Sequence, residues 1–152
     1  MRQLVQLGAP LELADTRHLL SALHWACRVG FERVAEALLD GKYEGHGAGI
    51  NSVVAGGWTP LTLAICHGHE GVVRLLLARG ARQELRDTRG YTALHGAVSG
   101  ARPNMVAILC GAAGAATALA LRDRSGRTPL ALAIHLHRAA CEAVLRAHGA
   151  TA

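Results

Sequence analysis

Between Gly57 and Asp87 the apolar positions recur at helical spacing in two short runs, each closed by a glycine. Leu61, Ala64 and Ile65 fall three and four residues apart, which puts them on one face of a helix. Thr59 can cap that helix with its hydroxyl, and Pro60 suits the first helical position, where a missing N–H costs nothing. Gly68 can adopt the left-handed conformation that stops the helix after about two turns. Glu70 places a negative charge at the start of a second helix, in which Val72, Val73, Leu75, Leu76 and Leu77 run on to Gly80. Two helices this short and this apolar cannot bury their faces against each other alone. The unit needs a like neighbour on each side.

Such neighbours are present. The capping positions Ser21, Thr59, Thr92 and Thr128 are separated by 38, 33 and 36 residues. They open the copies Ser21-Ala22-Leu23-His24-Trp25-Ala26, Thr59-Pro60-Leu61-Thr62-Leu63-Ala64, Thr92-Ala93-Leu94-His95-Gly96-Ala97 and Thr128-Pro129-Leu130-Ala131-Leu132-Ala133. This period and the pattern Thr-Pro-Leu-His-x-Ala resemble the ankyrin repeat, although no copy keeps every position. The resemblance implies an all-α solenoid of stacked helix-turn-helix units joined by β-hairpin-like loops, and a role in binding another macromolecule. By phase, residues 1–152 divide into a truncated repeat (1–17) and full repeats over 18–56, 57–89, 90–125 and 126–152.

The surplus residues fall between repeats, in Gly41–Ile50 and Gly111–Thr117, where insertion disturbs a stack least. Both segments read as small surface loops, with His46 a solvated loop residue. Leu4, Val5, Gly8, Ala9 and Asp15 match only the end of a repeat. Either the chain is a fragment of a longer array, or the thin face meets something else. In the last repeat Glu142 and Arg146 stand where Val73 and Leu77 stand in the second, as a polar terminal cap requires, so the array is expected to end there.

Composition agrees. A chain that is 51% hydrophobic but only 3% aromatic suits Leu/Ala/Val helix packing. The opening Met1–Gln6 lacks an apolar core region and no run is long enough to span a bilayer, so the expectation is an intracellular, cytoplasmic chain without membrane insertion. Four cysteines without a Cys-x-x-Cys pair suit a reducing compartment, with Cys27 and Cys141 as packing residues.

Candidate chemistry is sparse. Cys66, His67 and His69, with His135 and His137, look like a metal cluster, but no tetrahedral Cys/His spacing is present, and residues two apart on a helix point to different sides. No nucleophile has a sequence-visible base and orienter, and no phosphate-binding loop appears. The expectation is no enzyme, no cofactor, no metal and no small-molecule substrate. His24 and His95 occupy the family's histidine position, which the resemblance implies tethers neighbouring hairpins.

In the family, partners lie along the hairpin tips and the exposed side of the first helices, which form a concave groove. Carried over by phase, the partner-binding positions are Arg17, Arg28, Trp58, His67, Arg89, Tyr91, Arg124, Arg127 and His135. Trp58 and Tyr91 hold one position in adjacent repeats. They are either paired anchors, typically worth about 2 kcal/mol or more each when they are hot spots, or rings packed on their own hairpins. Asp87 and Asp123 are expected to cap turns.

The arginines favour an acidic protein partner, because arginine pairs carboxylates bidentately. The competing reading is a solvated surface from a gene rich in arginine codons, since the net charge of +5 comes from fifteen arginines and one lysine. Nucleic acid, suggested by a sequence pI near 9.6, is disfavoured: there is no lysine cluster, aromatic-interleaved basic run or recognised reading motif. A targeting or structural segment of a larger enzyme or channel is the remaining alternative.

Overall fold

The computed structural model describes residues 21–41 and 49–152, so the expectations for the truncated repeat, Arg17 and His46 lie outside the described residues. The chain forms two compact units, Met1–Ala81 and Arg82–Ala152. Among the described residues all regular structure is helical, apart from one isolated antiparallel bridge between Val54 and Trp58. None of the helices is long and apolar enough to cross a membrane.

The first unit contains α1 (Ala22–Val29), α2 (Glu32–Leu39), α3 (Pro60–His67) and α4 (Glu70–Ala78). Each odd helix packs on the even helix that follows it, and α1 packs on α3. Thr59 caps α3 as expected, accepting the Thr62 N–H, while the Thr62 hydroxyl oxygen accepts the Thr59 N–H. Leu61, Ala64 and Ile65 are fully buried, as are Val72, Val73 and Leu76 on α4. Leu75 and Leu77 are half-buried at the edges of that stripe.

In the second unit, α5 (Ala93–Ser99) packs on α6 (Pro103–Cys110), and α8 (Pro129–His135) on α9 (Ala139–Ala147). Between the pairs lies α7 (Ala115–Ala120), which corrects the expectation of a loop over Gly111–Thr117. The reason is local and tertiary together. The run Ala115–Ala120 is rich in helix formers, Gly114 enters it with φ 83°, and Ala118 is fully buried where α7 meets its neighbours. Buried Gln83 also donates from Nε2 to the Ala113 carbonyl (2.8 Å), which fixes the entry to α7. On α9, Arg146 reaches back to Glu142 at 2.9 Å, an exposed polar pair at the positions that carry Val73 and Leu77 in the second repeat.

Candidate partner-binding surface

The histidines at the capping turns are structural. His24 Nε2 lies 3.0 Å from the Ser52 carbonyl, and His95 Nε2 lies 2.9 Å from the Arg127 carbonyl. A carbonyl only accepts, so Nε2 carries the proton, and Nδ1 is left to accept from the hydroxyls of Ser21 (2.7 Å) and Thr92 (2.9 Å). Burial lowers both pKa values from 6.5 and outweighs the carbonyl bonds, which act the other way. Each neutral ring therefore ties a helix start to the hairpin of the next repeat.

In the first unit, Trp58 closes the hairpin through the bridge to Val54, with Val54 N–H donating to the Trp58 carbonyl at 3.0 Å. The turn needs Gly56 for two reasons: its φ is +87°, and a methyl group there would come within 2.8 Å of the Trp58 indole. The half-buried ring thus lies over its own turn. Arg28 and His67 stand in the last turns of α1 and α3, two helices that pack together. The Arg28 carbonyl accepts from His69 Nε2 at 3.0 Å, and the rings of His67 and His69 stack with centroids 6.3 Å apart. The expectation that these two side chains diverge is corrected: α3 stops at His67, and the left-handed Gly68 turns His69 back beside it.

Two hairpin tips in the second unit follow one plan. Asp87 Oδ1 accepts the N–H groups of Arg89 (2.8 Å) and Tyr91 (2.9 Å), while Oδ2 receives the Arg89 guanidinium at 2.9 Å. Asp123 does the same with Ser125 (2.8 Å), Arg127 (3.0 Å) and the Arg127 guanidinium (3.1 Å). Burial of Asp123 raises its pKa, but these donors outweigh it and hold the carboxyl below its usual range. Both aspartates act as the turn caps expected of them, and they neutralise two of the arginines assigned to the surface.

The tips lie against one another. Arg124 N–H donates to the Arg89 carbonyl at 3.2 Å, and a Cβ on Gly90 (φ +77°) would approach the Arg124 nitrogen to 2.8 Å. Arg89, Tyr91, Arg124 and Arg127 are thereby brought together. The Tyr91 ring is engaged on its own hairpin, with the Arg89 guanidinium carbon 4.5 Å from its centroid and the His95 ring 5.5 Å away. His135 stands exposed at the far end of α8 from the Thr128 cap, away from this group.

Arg86 and Arg122 were missed by sequence reasoning. Arg86 donates to the Arg122 carbonyl at 2.9 Å, and Arg122 to the Gly126 carbonyl at 2.8 Å. The available signal was phase: each directly precedes the capping aspartate of its repeat. Among the described residues no group of three or more His, Cys, Asp and Glu side chains is placed to hold a metal ion.

Residues 1–87 match the family model for ankyrin repeats (3 copies). The chain is 40% identical over 72 residues to the human ankyrin repeat domain-containing protein SOWAHB, covering 46% of this chain and 9% of that protein. It is 36% identical over 91 residues to mouse Rabankyrin-5, covering 59% of this chain and 8% of that protein. The matched stretches thus span under a tenth of these relatives. With the period, the capped helix pairs and a family match over more than half its length, the chain belongs to the ankyrin-repeat family.

Proposed function

We propose that the chain is a non-catalytic adaptor that binds a protein partner through an acidic segment carrying an apolar anchor. Ankyrin repeats are protein–protein interaction modules, which supports the general role. The observation that carries the acidic reading is the charge of the second unit: residues 82–152 hold nine arginines against four carboxylates. Such a field attracts and orients acidic partners, and arginine matches carboxylates with a planar fork. In each unit the contact surface comprises the hairpin tips and the exposed side of the first helices, with Trp58 in the first unit and Tyr91 in the second as candidate aromatic anchors. The repeat boundaries at 18–56, 57–89, 90–125 and 126–152 and a cytoplasmic location belong to the same proposal.

The test is affinity capture from cell extract, comparing the wild-type chain with Trp58→Ala/Tyr91→Ala after both are shown to be equally helical. Specific partners lost with the two rings support this surface. If the same partners remain, binding lies on another face and the aromatic assignment falls.

A second reading is a targeting or structural segment of a larger protein. It is favoured by the length of the relatives, of which the matches cover 9% and 8%. The reading frames upstream of Met1 and downstream of Ala152 decide it: further repeats or a catalytic domain there support this reading, and their absence on both sides removes it.

A further inference from the structure

Resting on the acidic-partner reading, we propose that Arg86, Arg122 and Arg124 form the carboxylate-docking cluster of the second unit, while Arg89 and Arg127 serve as internal clamps. The tips and their flanking segments, residues 82–92 and 122–128, contain six arginines and three acids. Every one of those acids is engaged: Glu84 by Arg82, Asp87 by Arg89 and Asp123 by Arg127. The charges of Arg86, Arg122 and Arg124 are left unmatched. All three side chains are exposed, and none makes an ion pair among the described residues.

The cluster is held in place rather than merely composed. The Arg86 guanidinium sits at the Arg122 carbonyl, and that of Arg122 at the Gly126 carbonyl. A guanidinium has five donors, so a single bond to a carbonyl anchors it and leaves most of the fork for a ligand. Arg124 is fixed through its backbone, by the bond from its N–H to the Arg89 carbonyl. The anchored side chains of Arg86 and Arg122 lose less freedom when they bind, so more of each of their ion pairs appears as affinity.

The surroundings favour carboxylates over a nucleic-acid strand. Stacking along a strand uses aromatic faces for successive bases, and Tyr91 is the single Phe, Trp or Tyr of residues 82–152.

The test is fluorescence anisotropy of a labelled oligoglutamate peptide, titrated with the full chain at two salt concentrations. The triple variant Arg86→Gln/Arg122→Gln/Arg124→Gln is expected to lose about tenfold or more in affinity and most of the salt dependence. A matching Arg→Lys triple is expected to lose less, since it keeps the charge but not the fork. Removing both clamps charge-neutrally, Asp87→Asn/Arg89→Gln/Asp123→Asn/Arg127→Gln at equal helicity, is expected to change affinity less than about twofold, because it leaves the net charge and the three unmatched arginines unchanged.

Equal losses from the two sets, or a loss confined to the clamp pair, overturn the cluster while leaving the acidic reading in place. A wild-type chain that does not bind oligoglutamate overturns both. Tighter binding of an oligothymidylate at the same salt overturns both in favour of nucleic acid.

Discussion

In residues 1–81 seven basic side chains are matched by seven acidic ones, whereas residues 82–152 hold nine arginines and four carboxylates. The net charge of +5 therefore belongs to the second unit. Their hairpin tips differ in the same sense. The turn Val54-Ala55-Gly56-Gly57-Trp58 has no charged side chain and is closed by a backbone bridge with an indole laid over glycine. The turns at Asp87 and Asp123 are closed by carboxylates that collect two N–H groups and a guanidinium each. One repeat scaffold thus supports tips built from opposite chemistry. Because the helices beneath supply the stability, the tips are at liberty to differ.

The largest expected effect tests the part that the units share. Leu76→Ala on α4 and Leu132→Ala on α8 remove fully buried side chains and should each cost about 2–5 kcal/mol. Denaturant unfolding of the two variants checks this. Similar losses mean that both units rest on equivalent cores, and a loss under about 1 kcal/mol in either would deny that equivalence.

A smaller effect separates the tips. Asp123→Ala strips a buried acceptor from two N–H groups and from Arg127, at a cost of about 1–3 kcal/mol. Gly56→Ala strains a residue at φ +87° and crowds the indole, for about 1 kcal/mol. Thermal unfolding of the two variants ranks them. Asp123→Ala is expected to be the more destabilising, and the reverse order would make the glycine turn the more demanding device.

The smallest effect is one on which the units should agree. His24 and His95 have folded pKa values below 6.5, chiefly through burial. Between 6.5 and the lower folded values, the unfolded chain binds more protons, so stability present above pH 6.5 declines as the pH falls through that window. Urea midpoints at about pH 7.5 and about pH 5.5 should show the decline. His24→Gln and His95→Gln should each remove part of it, and a variant with an unchanged pH slope would exclude its histidine as a source.

The fold was legible because its signals are local and repeated. Thr59, Pro60, Gly68 and Glu70 set the ends of α3 and α4 in the structure as they do in the sequence. Helix α7 was not, since a run of six residues is too short to hold a helix by propensity alone until Ala118 finds its place among neighbouring helices. At the candidate surface, phase located the tips but not the pairing within them. Arg89 and Arg127 read as cations facing a partner, and only the folded hairpin brings each onto the aspartate four or fewer residues away. Arg86 and Arg122 escaped notice for the converse reason. Each precedes its capping aspartate, and its reach to a carbonyl depends on where the hairpins come to rest.

Gly90 sets how closely one tip lies against the next, because any side chain there would meet the backbone of Arg124. The interval between the backbones that carry successive arginines is consequently fixed by main-chain contact. On the proposed reading, a surface of this kind would work as a ruler, matching the separation of a partner's charges as well as their number. Two acidic segments of equal charge but different spacing would then be told apart by a residue that touches neither of them.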